Sequence, residues 1–232
     1  VESTIFSPRD SNLRGYWKFD GINAYAILDM TGKGNGGGGF GEPQRVSGLF
    51  NKGMYCNGVN TYGNFDSVVS EKLTEYTVQG WVNLDNFTDD FATFFGTATD
   101  GRTWLGINSE DYFEFRVYSG NKLYSTPIMN NSITAKLGVW YHIAATYSET
   151  SDSMKLYVNG TLVSNETLSP SDSIDVASSN NYMCRGQNGE YLNGTIDNIA
   201  VWNRELSSDE VRYVFEQPLG FNDFSSFKLE DG

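Results

Sequence analysis

The chain has 232 residues, of which 39% are hydrophobic and 15% aromatic, and this content supplies a folded core and excludes wholesale disorder. Sixteen Lys and Arg against 29 Asp and Glu give a formal net charge of −13, which argues against a nucleic-acid partner, because phosphate binding needs clustered basic residues. The charge also argues against an anionic membrane surface, and no segment approaches the roughly 18 apolar residues of a membrane-spanning helix.

The first distinctive segment, residues 32–43 (GKGNGGGGFGEP), is rich in glycine and contains the spacing G-x-G-x-x-G from Gly34 to Gly39. That spacing cradles a phosphate only between a strand and a helix, because the helix N-terminus takes the phosphate. Here Phe40-Gly41-Glu42-Pro43 follows, in which no helix can start cleanly. The segment therefore predicts a flexible loop without a phosphate site.

Later segments show the period-two alternation of β-strands: residues 76–84, 112–118, 139–147, 154–158 and 161–163. Residues 139–147 are apolar on both faces, which indicates a central strand that is covered on each side. Asn159-Gly160 separates the last two segments and predicts a type I′ hairpin turn, because both residues tolerate a positive φ.

One helix is predicted near the end of the chain. Ser207 and Glu210 have the spacing of a capping box, and Val211, Val214 and Phe215 follow on one helical face before Pro218. Many short strands with a single short helix predict an all-β protein, a two-sheet antiparallel β-sandwich with one short C-terminal helix.

The chain contains one histidine and two cysteines. His142 alternates with Trp140 and Ala144 in the most apolar strand, which predicts a buried structural imidazole and leaves no base for nucleophilic catalysis. Cys56 and Cys184 form either a disulfide or two buried free thiols, and the sequence leaves both alternatives open.

Several segments together resemble the laminin-G-like, concanavalin-A-like jelly-roll family: GYWKFD (15–20), DMTGKGN (29–35), CNGVNTY (56–62), TVQGWV (77–82), WYHIAATY (140–147), KLYVNG (155–160), and NGTIDNIAVWNR with LSSDE (193–210). The order and spacing match over residues 14–217. The resemblance implies a jelly-roll domain between an N-terminal extension (1–13) and a C-terminal extension (218–232). It also implies a module of a secreted or surface protein that binds glycans or proteins, in many members with calcium.

The calcium expectation rests on four residues: Asp20, Asp29, Asn35 and Asp197. They could converge because the first and last strands are neighbours in similar jelly rolls, and calcium prefers carboxylate, amide and carbonyl oxygens. Two carboxylates that the family often has are replaced here by Gly21 and Asn57. The alternative is that Asp29 and Asn35 satisfy loop amides and that Asp197 makes a turn hydrogen bond.

A candidate glycan-binding patch comprises Trp104, Tyr112, Tyr118 and Tyr124, which lie in a polar, loop-rich stretch. Sugars stack their apolar faces on aromatic rings while neighbouring polar groups bond their hydroxyls. The alternative is ordinary cross-strand aromatic pairing, which stabilises sheets without any ligand.

These observations predict an extracellular or cell-surface recognition or adhesion module without enzymatic activity. The acids of related jelly-roll glucanases alternate along one strand, whereas Glu110, Asp111 and Glu114 have the wrong alternation. The first hypothesis is carbohydrate binding supported by calcium. The second is a structural or protein-interaction module whose terminal extensions, with Phe221, Phe224 and Phe227, mediate self-association.

Overall fold

The computed structural model of the protein describes residues 10–65, 68–69, 73–88, 91–97, 103–119, 122–126, 133–168, 180–186 and 189–217. The first eight strands are β1 (Leu13–Trp17), β2 (Ala26–Ile27), β3 (Gly37–Phe40), β4 (Gln44–Ser47), β5 (Lys52–Asn57), β6 (Tyr62–Phe65), β7 (Glu75–Leu84) and β8 (Ala92–Thr97). The others are β9 (Thr103–Ile107), β10 (Phe113–Ser119), β11 (Lys122–Ser125), β12 (Trp140–Ser148), β13 (Ser153–Val158), β14 (Thr161–Thr167), β15 (Asn181–Met183) and β16 (Asn193–Trp202). The helix α1 (Ser208–Glu216) follows β16.

The strands form two antiparallel sheets of eight strands each, packed as a jelly-roll sandwich, and this confirms the predicted fold class. Sheet A has the order β14-β13-β12-β7-β16-β5-β4, with β1 also paired to β16. Sheet B has the order β11-β10-β9-β8-β15-β6-β3-β2. Because β1 pairs with β16, the first and last strands are neighbours, as the resemblance implies.

The main hydrophobic core lies between the sheets and follows the alternation in the sequence. In β10, Phe113, Phe115 and Val117 point into this core. Glu114 and Arg116 alternate with them and therefore lie on the outer face of sheet B, the side away from sheet A. A disulfide joins Cys56 of sheet A to Cys184, which follows β15 of sheet B.

The glycine-rich segment differs from the predicted flexible loop, because its second half forms β3 and pairs with β6. A β-carbon at Gly37 would collide with the carbonyl oxygen of Asn64, and one at Gly39 would lie 2.7 Å from the Ala24 carbonyl oxygen. Glycine is therefore required for close approach between backbones and not for flexibility. The structure also places no helix directly after this segment, as the sequence predicts.

The central strand, the hairpin and the helix are confirmed. In β12, Ile143 and Ala145 pack in the main core, whereas Ala144 packs in a second apolar cluster on the other face of sheet A. Asn159 and Gly160 have φ values of 50° and 73° between β13 and β14. The capping box of Ser207 and Glu210 begins α1, whose Val211 and Val214 cover the second cluster.

The predicted extensions lie largely outside the described residues, which begin at residue 10 and end at residue 217. Phe221, Phe224 and Phe227 are all among the residues that the structure does not describe. Within the described part of the chain, no helix is long and apolar enough to cross a membrane.

Candidate functional site

Asp197 lies where the neighbour of β16 changes from one strand to another. Residues 193–196 of β16 pair with β5, and residues 199–202 pair with β1. The register against β7 also shifts between Asp197 and Ala200, and Asn198 has a φ of 46°. The irregularity leaves room for a buried carboxylate in the middle of an otherwise continuous strand.

Asp197 is fully buried and only partly satisfied. Its Oδ2 accepts a hydrogen bond of 2.8 Å from the Phe50 N–H, whereas its Oδ1 has no hydrogen-bond partner among the described residues. Burial, together with the negative charge of Asp20, raises the pKa of Asp197 to about 7. Asp20 accepts from the Lys52 N–H at 3.1 Å and lies 3.7 Å from the Lys18 ammonium.

Asp29 and Asn35 form a separate pair that organises the loop between β2 and β3. Asp29 Oδ1 accepts from the N–H groups of Tyr16 and Thr31, and its Oδ2 accepts from the Asn35 N–H at 3.0 Å. The Asn35 side-chain amide donates to the Arg14 carbonyl oxygen at 2.6 Å. The four predicted ligands therefore fall into two pairs, and the second pair satisfies loop amides. Among the described residues, no group of three His, Cys, Asp or Glu side chains is placed to hold a metal.

The aromatic residues of interest lie on the outer face of sheet B. The strand register aligns Arg116 with Trp104, Trp104 with Gly96, Gly96 with Tyr182, and Tyr182 with Asn64. Residues aligned in this way across a sheet share one face. One row on the outer face therefore crosses strands β10, β9, β8, β15 and β6.

A cleft of about 180 Å³ opens on this face, lined by Phe91, Trp104, Arg116, Tyr118, Leu123 and Glu190. The Trp104 and Tyr118 rings meet edge to face, with centroids 5.7 Å apart. The Arg116 guanidinium lies 4.5 Å from the centroid of the Phe91 ring, and its Nε donates to Glu114 Oε1 at 2.8 Å. The cleft thus combines aromatic walls with fixed charged groups.

Two of the four predicted aromatic residues, Trp104 and Tyr118, line the cleft, and the other two do not. Tyr124 points inward and packs in the main core, because it is aligned with Val117 of β10. Tyr112 immediately precedes β10 and forms an isolated bridge with Thr134. Alternation within β11 alone does not determine which of its faces is buried, so the sequence does not distinguish Tyr124 from an outward-facing ring.

A second aromatic group on the same face was missed by the sequence analysis. The guanidinium of Arg185 lies over the rings of Tyr62, Tyr182 and Tyr191, and we name these four residues the tyrosine cage. Tyr182 lies between the buried residues Asn181 and Met183, and this alternation was the available signal for an outward-facing ring. The other members come from distant parts of the chain, so no local pattern could assemble them.

The two side chains considered above for catalysis, His142 and Glu114, both make hydrogen bonds to other side chains of the protein. His142 is fully buried with its Nε2 2.6 Å from Gln79 Oε1, and burial lowers its pKa to about 3, as befits the predicted structural imidazole. Glu114 binds Arg116 through both carboxylate oxygens and accepts from the Asn108 side chain. Both side chains are therefore held by neighbouring side chains of the protein.

Comparison with protein families finds that the model of the Concanavalin A-like lectin/glucanases superfamily (Laminin_G_3) matches residues 57–212. Among curated proteins, the human Adhesion G-protein coupled receptor D1 is 32% identical over an alignment covering 88% of this chain and 24% of the receptor. The chain therefore spans about a quarter of the length of that relative.

Among solved structures, domain 4 of the extracellular arabinanase AbnA from Geobacillus stearothermophilus, in complex with arabinotriose, superimposes with a TM-score of 0.71 at 22% identity. The match covers 87% of this chain and 97% of that domain. The binding domain of botulinum neurotoxin DC in complex with SialylT has a TM-score of 0.70 at 13% identity and covers 91% of this chain and 52% of that one. At these low identities, the TM-scores show a shared fold and nothing further.

Proposed function

Because the chain belongs to the Concanavalin A-like lectin/glucanases superfamily, we propose that it is a non-catalytic module that binds glycans on the outer face of sheet B. The observation that carries the proposal is the cleft, in which Phe91, Trp104 and Tyr118 provide aromatic walls. Aromatic rings pack against the apolar faces of sugars, while charged and polar groups fix their hydroxyls. The solved relatives bound to arabinotriose and SialylT support this class of ligand.

The absence of catalysis is part of the proposal, since the superfamily also includes glucanases. A glycosidase needs two carboxyl groups flanking the scissile bond, one as acid and one as base or nucleophile. On the outer face, Glu114 is held by Arg116 and Asn108. Among the described residues that line the cleft, Glu190 is the one acid, and one carboxylate does not complete the pair.

Calcium support belongs to the same proposal, with the ligand set reduced to Asp20 and Asp197. The buried, unpartnered Oδ1 of Asp197 beside a second carboxylate fits a hard cation, which would neutralise both charges. Backbone carbonyls and water would have to supply the remaining oxygens of its coordination shell. Asp29 is unsuited to this role because N–H groups already occupy both of its oxygens.

An extracellular or surface location is proposed from the disulfide and the relatives together. The bond between Cys56 and Cys184 would persist in an oxidising compartment, whereas cytosolic thiols are kept reduced. The matched arabinanase is described as extracellular. We therefore propose that this protein is secreted or displayed on the cell surface.

The glycan proposal is tested by comparing two tyrosine variants on an oligosaccharide array and then by calorimetry on the strongest ligand. Tyr118→Ala removes a wall of the cleft and should weaken binding by about tenfold. Tyr25→Ala is the matched control, because Tyr25 is 63% exposed in the loop after β1, away from the cleft. Equal effects of the two variants, or no binding to the array, would contradict the proposal.

A second candidate function, binding of a protein partner, is favoured by exposed apolar side chains in the loops on either side of β2. Ile22 is 100% exposed, and Leu28 and Met30 are 62% and 47% exposed. Contiguous exposed apolar surface commonly marks a protein interface. Binding to intact cells before and after enzymatic removal of surface glycans separates the two functions. Glycan removal should abolish cell binding under the first proposal and leave it unchanged under the second.

A further inference from the structure

The tyrosine cage holds an arginine in a fixed position on the outer face of sheet B. The Arg185 guanidinium carbon lies 4.7 Å from the centroid of Tyr62, 4.9 Å from that of Tyr182 and 5.9 Å from that of Tyr191. Tyr62 and Tyr182 also pack edge to face at 5.6 Å. Three rings around one cation restrict the guanidinium to a single position, as a binding group requires.

Arg185 has no anionic partner within the described part of the chain. Its Nε is buried without a hydrogen-bond acceptor, although the side chain as a whole is half-buried. By contrast, Arg116, Arg204 and Arg212 each contact a carboxylate of the protein at 2.8 Å or less. Arg45 also has no carboxylate partner, but its Nη2 donates to the Ala26 carbonyl oxygen at 2.9 Å. The chain has more carboxylates than basic groups, with a net charge of −13. A guanidinium that is fixed in place without a carboxylate partner therefore indicates a binding group for an external anion.

The chemistry of the cage indicates the ligand. A guanidinium presents its donors in a planar fork that matches a carboxylate through two parallel hydrogen bonds. The tyrosine rings stabilise the cation but accept none of its in-plane N–H groups. The group that fits is therefore a planar anion approaching from outside the protein.

The cage and the cleft lie on one continuous surface. Only Gly96 lies between Tyr182 and Trp104 in the strand register, so the Cα positions of these two residues are two strand spacings apart, about 10 Å. Arg185 and Tyr191 form an isolated β-bridge, and Glu190, next to Tyr191, lines the cleft, so the two sites adjoin at this bridge. The Gly186 N–H also donates to the Glu190 carbonyl oxygen at 3.1 Å.

We propose that the tyrosine cage is a subsite for a carboxylate-bearing sugar, so that the protein selects acidic oligosaccharides, with one sugar in the cleft and the acidic one on Arg185. This inference rests on the proposed glycan binding and specifies its ligand class. The negative net charge of the protein repels anions at long range. Selection of an acidic sugar therefore depends on Arg185 at short range.

The test is an array on which each sialylated or uronic-acid oligosaccharide is placed beside its carboxyl-reduced, neutral counterpart. The wild-type protein should bind the acidic member of the best pair about tenfold more tightly, as expected for a charge-assisted bidentate contact. Arg185→Gln should remove this preference and leave the affinity for the neutral member unchanged. Tyr118→Ala should weaken both members by the same factor.

The outcomes separate this proposal from the one on which it rests. Equal wild-type affinity for both members would overturn the acidic subsite and leave glycan binding intact, whereas no binding to any sugar would overturn both. An Arg185→Gln variant that retains the preference would assign the selectivity to another group. A sulfated analogue that binds as tightly as the carboxylated sugar would overturn the specificity for a carboxylate.

A structural role for Arg185 is tested in parallel. Arg185→Lys keeps the positive charge over the rings but loses the planar fork, so the acid preference should fall while the thermal midpoint changes little. If Arg185→Gln does not fold, the Lys variant carries the test. Loss of binding to acidic and neutral sugars alike in the Lys variant would show that Arg185 only supports the fold.

Discussion

At the residue scale, Asp197 has the environment that departs most clearly from that of an ordinary carboxylate. It is buried, and the negative charge of Asp20 acts on it. The pKa of the Tyr16 phenol is raised mainly by burial and further by the charges of Asp197 and Asp20. A would-be β-carbon at Gly48 lies 2.6 Å from Asp197 Oδ2, so glycine at that position leaves the carboxylate its space. Such a group must be neutralised by a proton or by a cation.

The proton alternative predicts a specific pH dependence in the absence of metal. The pKa of Asp197 is raised from 3.8 in the unfolded chain to about 7 in the folded protein, so the folded state binds the proton more tightly. Its contribution to stability is therefore largest at low pH and is lost as the pH rises from about 4 to about 7. In denaturant unfolding with EDTA, the unfolding free energy of Asp197→Asn minus that of the wild type should therefore increase by about 2 kcal/mol as the pH rises from 5 to 8.

Calcium should reverse this relation, because it binds the ionised carboxylate. At pH 8, excess calcium should raise the thermal midpoint of the wild type by several degrees and leave that of Asp197→Asn unchanged. Asp29→Asn is the matched control: it should lower stability, because Asp29 bonds loop N–H groups, yet retain the calcium response. An unchanged thermal midpoint of the wild type on addition of calcium would contradict the cation proposal.

At the element scale, β3 shows how close packing of backbones replaces side-chain packing. A β-carbon added at Gly37 would collide with the Asn64 carbonyl oxygen and lie 2.6 Å from the Phe65 β-carbon. One added at Gly38 would come no closer to any neighbour than 3.3 Å, its distance to the Phe40 ring. Both residues belong to the same strand and neither has a positive φ, so they form a matched pair.

We therefore expect Gly37→Ala to destabilise the protein by about 1–3 kcal/mol, the usual cost of forcing extra atoms into a packed site. Gly38→Ala should change the unfolding free energy by no more than about 0.5 kcal/mol. Chemical denaturation of the two variants measures both values. Equal losses would mean that the two positions are equally crowded.

The helix allows a second test at this scale. The Ser207 hydroxyl accepts a hydrogen bond from the Glu210 N–H, and Glu210 Oε2 accepts from the Ser207 N–H at 2.7 Å. Ser207→Ala should cost about 1 kcal/mol, because one N–H of the first turn loses its acceptor. Ser207→Gly, which keeps a compatible backbone, should cost less. An unchanged unfolding free energy for Ser207→Ala in denaturant unfolding would contradict this role of the hydroxyl.

The sequence predicts those elements whose conformation depends on residues close together in the chain. The hairpin at Asn159-Gly160 and the capping box at Ser207 depend on residues that are close in sequence, so the sequence was sufficient to predict them. β3 was not predicted, because the need for glycine arises from Asn64, which is distant in sequence. The inward position of Tyr124 depends on its alignment with Val117, which alternation within one strand cannot reveal.

The candidate sites were less predictable than the fold for the same reason. The sequence identifies Trp104 and Tyr118 as candidates, but the cleft is also lined by Phe91 and Glu190 from other parts of the chain. Likewise, Asp20 and Asp197 were predicted together only through the resemblance, since they are far apart in sequence. That resemblance could not show that Asp29 is occupied by its own loop.

At the scale of the whole molecule, the disulfide joins the two sheets across a sequence separation of 128 residues. In the loop-entropy model a bridge of this length stabilises a protein by about 4–5 kcal/mol. The double variant Cys56→Ala/Cys184→Ala should lose a similar amount in denaturant unfolding. Alkylation followed by intact-mass analysis should find no free thiol before reduction, and two alkylated thiols at that stage would contradict the bond.

The central claim concerns which surface of the sandwich binds the ligand, and hydrogen–deuterium exchange measures this most directly. The protein is compared with and without a saturating amount of its strongest saccharide from the array. We predict protection in β9, β10 and residues 189–192, which border the cleft and the tyrosine cage, and no change in residues 20–32. Protection confined to residues 20–32 or to α1, with sheet B unchanged, would contradict the account.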